Sequence, residues 1–493
     1  MAKVPDLATA TTGMDRQRPL RDEPRLPGRL SGRADAALLG PTYRGRMLLV
    51  LLLICTLNFI DRAVLSAVVE PIKQELGLTD FQVGLLQGLS FALLYSMLGV
   101  PVGRLAERYS RLVIIAVSVA VFSLATLMCG FAGTFLVLFA CRVGVGVGEA
   151  GFMSPTASLV SDHYPATRRA SALSIIMLGS PLGYLIGAIA GGWIAQHHGW
   201  RIAFVAMGVP GLIMALVVLV ALIEPVRGLA EGTPVTHDAP PSMGQAFRAL
   251  FAKPAYRHIL MAGALCTFGM TAIGQFSFLF YLRSHGLTLS QAGMAAGTTA
   301  ALSLTIGTLL GGFGVDWANR YDPRWNAWGP AIGVFVGALC YCAGFLCENL
   351  VASLAGVTVG GLALFLYYTP TYAMAQNMAP PRMRATAVAI YAMTFGLIGA
   401  GLGPTFLGLA SDRFAQASFG AGDFAALCPG GKAALNAAPS MAQACHHAAA
   451  HGLRFALASV TLAFLSGGVH FLLAARTLVA DLHQTRPDSR PAR

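Results

Sequence analysis

The sequence predicts an all-α membrane protein: twelve transmembrane helices arranged as two pseudo-symmetric bundles of six. Three observations carry this. Only 11% of the residues are charged and 55% are apolar, with a mean hydropathy of +0.64, against roughly 25% charged in soluble domains. Apolar runs of about 20 residues, long enough for a ~30 Å hydrocarbon core, recur along the chain. The chain also resembles itself at about half its length.

The apolar runs fall at about 46–69, 81–103, 112–132, 134–160, 170–196, 201–223, 257–282, 291–315, 328–347, 351–378, 384–410 and 452–476. Residues 1–45 form a basic, Pro-bearing tail without an apolar signal-peptide core. It is expected to be disordered and cytoplasmic, with the first span as an uncleaved insertion signal. Residues 224–256 link the bundles 46–223 and 257–476. The first part, Glu224–Pro241, reads as flexible. The second reads as a short interfacial helix: Ser242 and Gln245 fit a capping box, Met243, Phe247, Leu250 and Phe251 share a face, and Pro254 ends it. A plain linker helix fits the same residues. A long outer loop is expected at 411–451 and a cytoplasmic tail at 477–493.

Span five carries Gly179, Gly183, Gly187 and Gly191 at four-residue spacing, with Pro181 among them. Such stripes let helices touch backbone to backbone, and the proline removes an i−4 hydrogen bond. Gly399, Gly403 and Pro404 form a shorter version in span eleven. Helix packing and an antiport signature both account for these residues.

The internal repeat is visible in two places. Gly103-Arg-Leu-Ala-Glu107-Arg108 follows span two, and Gly312-Phe-Gly-Val-Asp316-Trp317 follows span eight. Arg169-Ala-Ser-Ala-Leu opens span five, and Arg384-Ala-Thr-Ala-Val opens span eleven. Both offsets are about 210 residues, as expected of carriers built from two six-helix halves around a midplane cavity.

The net charge of +12 does not point to nucleic acid. The basic residues cluster in alternate loops, at Arg104, Arg108 and Arg111, at Arg168 and Arg169, and at Arg320 and Arg324. The other loops hold few, the exceptions being Lys73, Arg201, Arg283, Arg413 and Lys432. By the positive-inside rule both termini are cytoplasmic, in a cell inner membrane.

Four ionisable residues interrupt apolar spans: Asp61 and Arg62 in the first, Arg142 and Glu149 in the fourth. A charge at bilayer depth costs roughly 2.5–3.5 kcal/mol on insertion scales, and such residues face a bundle interior or a wet cavity. Asp61 lies about 22 Å from the cytoplasmic end of span one and Arg142 about 12 Å from the outer end of span four, at 1.5 Å per residue. Across a ~30 Å core these depths coincide, so the two can pair. Glu149 is seven residues on, along the same face and nearer the cytoplasm. Burial favours a neutral carboxyl and a neighbouring arginine an ionised one, so making or breaking the pair loads or releases a proton. Asp61 and Glu149 are therefore read as proton carriers and Arg142 as the group that tunes them; a static ion-pair network is the alternative. Arg62 points roughly 100° from Asp61 and either snorkels or joins another contact.

The loop Gly103-x-x-x-Glu107-Arg108-x-Ser110-Arg111 reads as a gate, with Asp316 its counterpart in the second half. It is similar to the signature of the major facilitator superfamily, departing from it at Ser110, usually glycine, and at Leu112, usually a second arginine. Asn58-Phe-Ile-Asp61-Arg62 together with Arg142-Val-Gly-Val-Gly-Val-Gly-Glu149-Ala resembles the Spinster-like branch, including its bacterial members. The resemblance implies a rocker-type secondary transporter, with proton coupling through the matched Asp, Arg and Glu positions. Animal members of the branch are linked to lysolipids and sphingoid lipids.

The second half lacks intramembrane charges. Gln275, Phe276, Tyr281, Tyr368, Tyr372 and Tyr391, with Asn58 and Arg62 from the first half, are candidates to line the cavity. A charged half facing an aromatic half suits an amphiphilic or lipid-like solute. Cys428 and Cys445 share the 411–451 loop and are expected to form a disulfide; a metal site there is the runner-up. No other metal, no cofactor beyond the coupling proton, and a monomer in the bilayer are expected. Multidrug efflux and organic-anion uptake stay open, as does a passive scramblase or channel. A membrane-embedded lipid enzyme is disfavoured, since the spans carry no His-Glu-x-x-His or Gly-x-Ser-x-Gly.

Overall fold

The structure, a computed structural model, describes residues 38–225, 243–379, 383–420, 422–434 and 437–482. Most of the basic tail, the first part of the linker with Ser242, and the end of the chain lie outside the described residues.

Among the described residues twelve helices are long and apolar enough to cross a membrane. Spans 1 to 6 are Pro41–Leu76, Asp80–Gly99, Arg111–Cys129, Phe135–His163, Ser171–His198 and Trp200–Ala221. Spans 7 to 12 are Pro254–His285, Leu289–Ala318, Trp325–Leu346, Leu350–Asn377, Thr386–Phe419 and Pro439–Asp481. The even number places the start and end of the described chain on one face, here the terminal face. The loops after spans 1, 3, 5, 7, 9 and 11 lie on the opposite face.

Several boundaries differ from expectation. Span 1 begins at Pro41, inside the expected tail, because proline at a helix N1 position gives up no hydrogen bond. Most of the expected loop 411–451 is helical: span 11 runs on to Phe419, and span 12 starts at Pro439, again with proline in the first turn. Cys428 and Cys445 are disulfide-bonded, with Cα atoms 5.7 Å apart. They form a small separate core with Ala415, Phe419, Phe424, Ala448 and Ala449 on the opposite face. The linker helix spans Met243–Phe251. Leu250 is buried, Phe247 is exposed and stacks on Phe251, and Lys253 donates to the carbonyls of Met378 and Asp481, so the helix is fastened to the second bundle.

The glycines act as close-approach points. A Cβ on Gly179, Gly183, Gly187 or Gly191 would lie within 2.5–2.9 Å of Cys55, Thr56, Phe59, Ile60, Ala63 or Val64, so the stripe seats span 5 against span 1. In span 4, Gly146 meets the Phe91 carbonyl and Gly148 the Phe122 backbone, drawing spans 2 and 3 onto the helix that carries Arg142 and Glu149.

Regular helix is interrupted beside the centre. Span 2 breaks at Gly88 and span 4 after Glu149. Span 5 breaks at Leu178, where Pro181 cannot bond to the Met177 carbonyl. Span 10 passes through a 3₁₀ turn at Phe365–Tyr367 and span 11 through a π-helical stretch at Phe395–Leu402. Interrupted helices of this kind occur in membranes where they line a cavity.

Candidate functional site

The four intramembrane charges form two pairs. Arg142 Nη1 donates to Asp61 Oδ2 at 2.7 Å, both side chains being almost fully buried. Arg62 takes Glu149, with Nε donating to Oε2 at 3.0 Å. Arg142 is therefore the direct ion-pair partner of Asp61, and Arg62 that of Glu149. The reason is geometric. Glu149 ends the first helix of span 4, Phe135–Glu149, seven residues past Arg142, and there Arg62 of span 1 reaches it.

Thr126 on span 3 completes the first pair. Its Oγ1 lies within hydrogen-bond reach of both Asp61 Oδ1 and the Phe122 carbonyl. A threonine hydroxyl has one proton. It can donate to an ionised Asp61, or donate to Phe122 and accept from a protonated Asp61. The contact thus serves both protonation states. In the second pair Glu149 is 1% exposed, and its Oε1 is buried with no hydrogen-bond donor among the described residues.

Arg62 is the member of this quartet with an accessible side chain, 21% exposed. Its guanidinium carbon sits 4.4 Å from the Phe91 ring centre, 5.0 Å from Phe59 and 5.4 Å from Tyr95, a cation in an aromatic surround. Tyr184 packs on Phe59. From the second bundle, Tyr368 lies within electrostatic reach of Arg62 and Tyr95, and continues into Tyr372, Tyr391 and Phe395 with ring centres 4.8–6.3 Å apart.

Other expected lining residues lie elsewhere. Phe276 and Tyr281 are fully buried in the core of the second bundle, and Tyr391 stands behind Tyr372 at 1% exposure. Asn58 is buried with Oδ1 unpartnered. Gln275 belongs to a polar knot between the bundles: its side chain pairs with Ser66, and its carbonyl accepts from Gln87 Nε2 at 3.1 Å. Phe276 and Tyr281 thus pack inside the second bundle, while Gln275 and Arg283 of the same helix reach span 1.

The expected gate motif divides. Glu107, Arg108 and Asp316 are exposed, and Gly103 packs near Ser154. Arg111 is buried, pairing with Asp162 and with Glu224 at 2.7 Å and donating to Ser158 and the Pro225 carbonyl. It binds spans 3 and 4 to the chain just past span 6 rather than bridging two bundles. Burial raises the Glu224 carboxyl, but the Leu112 amide, Arg111 and Ser110 outweigh that and hold it below the usual carboxylate range.

Among the described residues, ion pairs between the bundles occur on the opposite face. Arg283 of span 7 reaches Glu70 of span 1 at 2.6 Å and Asp80 of span 2 at 2.9 Å, and Lys73 adds a 2.6 Å bond to Asp80. This face is closed. Sequence reasoning did not find this network, although a signal was present: Lys73 and Arg283 were exceptions to the charge asymmetry of the loops. It also missed Thr126, Phe91, Tyr95 and Tyr184, which carry no mark in an apolar span.

The sequence model of the Major Facilitator Superfamily matches residues 51–404. The chain belongs to the major facilitator superfamily. It is Spinster-like within it, and a transporter. It is 28% identical over 373 residues to an MFS-type efflux pump of Mycolicibacterium smegmatis, covering 76% of this chain and 86% of that protein. It is 27% identical over 416 residues to protein spinster homolog 1 of Xenopus tropicalis, covering 80% and 78%. It is 26% identical over 379 residues to the mouse (Mus musculus) sphingosine-1-phosphate transporter SPNS2, covering 73% and 69%. Among solved structures it is similar to a bacterial homologue of the human lysosomal transporter Spinster in an inward-facing, unoccupied conformation. That match has a TM-score of 0.81 and 31% identity over 90% of this chain and 100% of that one.

Proposed function

We propose that this transporter moves a single-chain amphiphile with an anionic head, coupled to a proton, by alternating access. The observation that carries the reading is Arg62, an accessible guanidinium in an aromatic surround whose counter-charge is a buried carboxylate. An incoming phosphate or carboxylate head competes with Glu149 for Arg62. Stranding one member of a buried pair costs about 3–5 kcal/mol, so Glu149 takes a proton as Arg62 leaves it. Its undonated Oε1 supports that role. Head binding and proton binding at Glu149 therefore go together. Asp61, held by Arg142 and Thr126, is the second proton carrier in this scheme. The aromatic wall of Tyr368, Tyr372 and Phe395 takes the apolar body.

The names of the relatives support a lipid-like solute, and the lack of charge on the second wall supports an amphiphile. The exposed Arg104, Arg108, Arg168, Arg320 and Arg324 at the terminal face support that face as cytoplasmic, in a cell inner membrane. The closed opposite face is then the outer one.

The test is binding to the purified protein in nanodiscs, using dodecyl phosphate against dodecyltrimethylammonium. The phosphate binds and the cation does not, and Arg62→Gln abolishes phosphate binding while the protein stays folded. Preference for the cation, as an efflux pump of cationic drugs would show, overturns the reading.

A further inference from the structure

The N-terminus of span 2 carries two caps of different origin. The first is local. Thr79 accepts from the Gln82 amide, and the Gln82 side chain accepts from the Thr79 amide at 3.0 Å, a complete capping box. It lies within one helix start and is indifferent to how the bundles are arranged. The second comes from the other bundle. Asp412 of span 11 accepts from the Asp80 amide at 2.9 Å through Oδ1 and from the Phe81 amide at 2.8 Å through Oδ2. The next residue inward, Ser411, donates to the Asp80 side chain at 2.7 Å.

We propose that Asp412 is the positioning residue of the outer gate: a helix cap lent across the bundle interface that holds the opposite face closed and is surrendered when it opens. This rests on the alternating-access reading above. The first amides of a helix lack intrahelical partners, and the helix N-terminus carries roughly half a positive charge. The closed network holds Lys73 and Arg283 against Glu70, Asp80 and Asp412. Fully ionised, it has one carboxylate in excess, and that excess falls on the residue facing the helix end. The dipole therefore balances the network only while span 11 is in contact.

The backbone is shaped for the clasp. A Cβ on Gly408 would lie 2.0 Å from the Asp80 carbonyl, one on Gly84 2.3 Å from the Pro404 carbonyl, and one on Gly88 2.5 Å from the Gly401 carbonyl. Spans 2 and 11 thus touch backbone to backbone from the gate to mid-membrane. Glycine at 408 is what allows Asp412, one turn on, to reach the amides. On opening, Thr79 keeps the helix start intact, so the helix survives while the two amides served by Asp412 lose their carboxylate.

The experiment is a distance measurement by paired spin labels at Gly133 and Ala417, which are exposed on the opposite face in different bundles. It uses the full chain in nanodiscs with its free cysteines replaced. Losing an N-cap carboxylate shifts the equilibrium by roughly fivefold or more, so Asp412→Ala raises the ratio of long to short distances by about that factor. Asp412→Asn gives a smaller rise, and Asp412→Glu falls back towards the parent. Thermal unfolding is recorded for each variant. Should Asp412→Ala fail to fold, Asp412→Asn against Asp412→Glu gives the same comparison. Folded variants with parental distances overturn the proposal. Whether the parent itself exchanges between two distances is read in the same data and tests alternating access separately.

Discussion

Replacing Glu149 by Gln separates binding from coupling. The substitution keeps the size of the side chain and an acceptor for Arg62, but removes the charge and the exchangeable proton. A charge-assisted hydrogen bond contributes about 1.5–3 kcal/mol and is roughly twice as strong as a neutral one; in the variant Arg62 stays ionised while its acceptor becomes neutral, so about half of that strength is lost. Arg62 is therefore held less tightly by about 1–1.5 kcal/mol, and an anionic head should bind about five- to tenfold better. The larger effect is on pH. If each bound head brings one proton to Glu149, Kd changes about tenfold per pH unit over the range in which Glu149 is ionised in the free protein. In Glu149→Gln that slope falls to about zero. The assay is dodecyl phosphate binding across pH in nanodiscs, with radiolabelled exchange and pH-driven accumulation in proteoliposomes. Exchange persists in the variant, and accumulation against a gradient drops to what a proton on Asp61 alone supports. A variant that still accumulates dodecyl phosphate to the parental level under an imposed pH difference, with a parental pH slope of Kd, refutes the reasoning.

Two further predictions concern the scaffold. Gly183→Leu places side-chain atoms where a Cβ alone would already lie 2.5 Å from the Thr56 carbonyl. Overpacking of this kind costs about 1–3 kcal/mol, and thermal stability should drop measurably, whereas Gly99→Ala, with open space around it, should leave it unchanged. The Glu224 carboxyl is held below its ordinary range in the folded chain, so it contributes stability that is present above its unfolded pKa and lost as pH falls through the folded value. Thermal unfolding should therefore show a loss on acidification below about pH 4 that is smaller in Glu224→Gln.

Much of the architecture was legible because the bilayer constrains it. A span must be about 20 residues of apolar sequence, so twelve runs give twelve helices. The Asp61–Arg142 pair was legible for a related reason: depth in a bilayer can be counted along two helices. Rotation cannot be read so directly. Arg62 rather than Arg142 pairs with Glu149, in a bundle where Gly183 and Gly187 let span 5 close on span 1 and Gly146 lets span 2 close on span 4. Phe276 and Tyr281 look like cavity residues in a list of aromatics, yet they occupy a core because of how span 7 is turned. The gate was hidden in the same way. Glu70, Asp80, Arg283 and Asp412 lie up to 342 residues apart, and no periodicity links them.

By itself, the sequence determined that this chain spans a membrane twelve times, that its halves are repeats, and that the four charges at mid-membrane depth, Asp61, Arg62, Arg142 and Glu149, belong to one half. Those properties follow from the cost of placing polar groups in hydrocarbon, which acts residue by residue. The tertiary structure alone decided which charge meets which, that Arg62 is the accessible cation, and that the opposite face is shut by groups from both bundles. Those depend on helix rotation and close approach, set by contacts between glycines and backbone far apart in the chain.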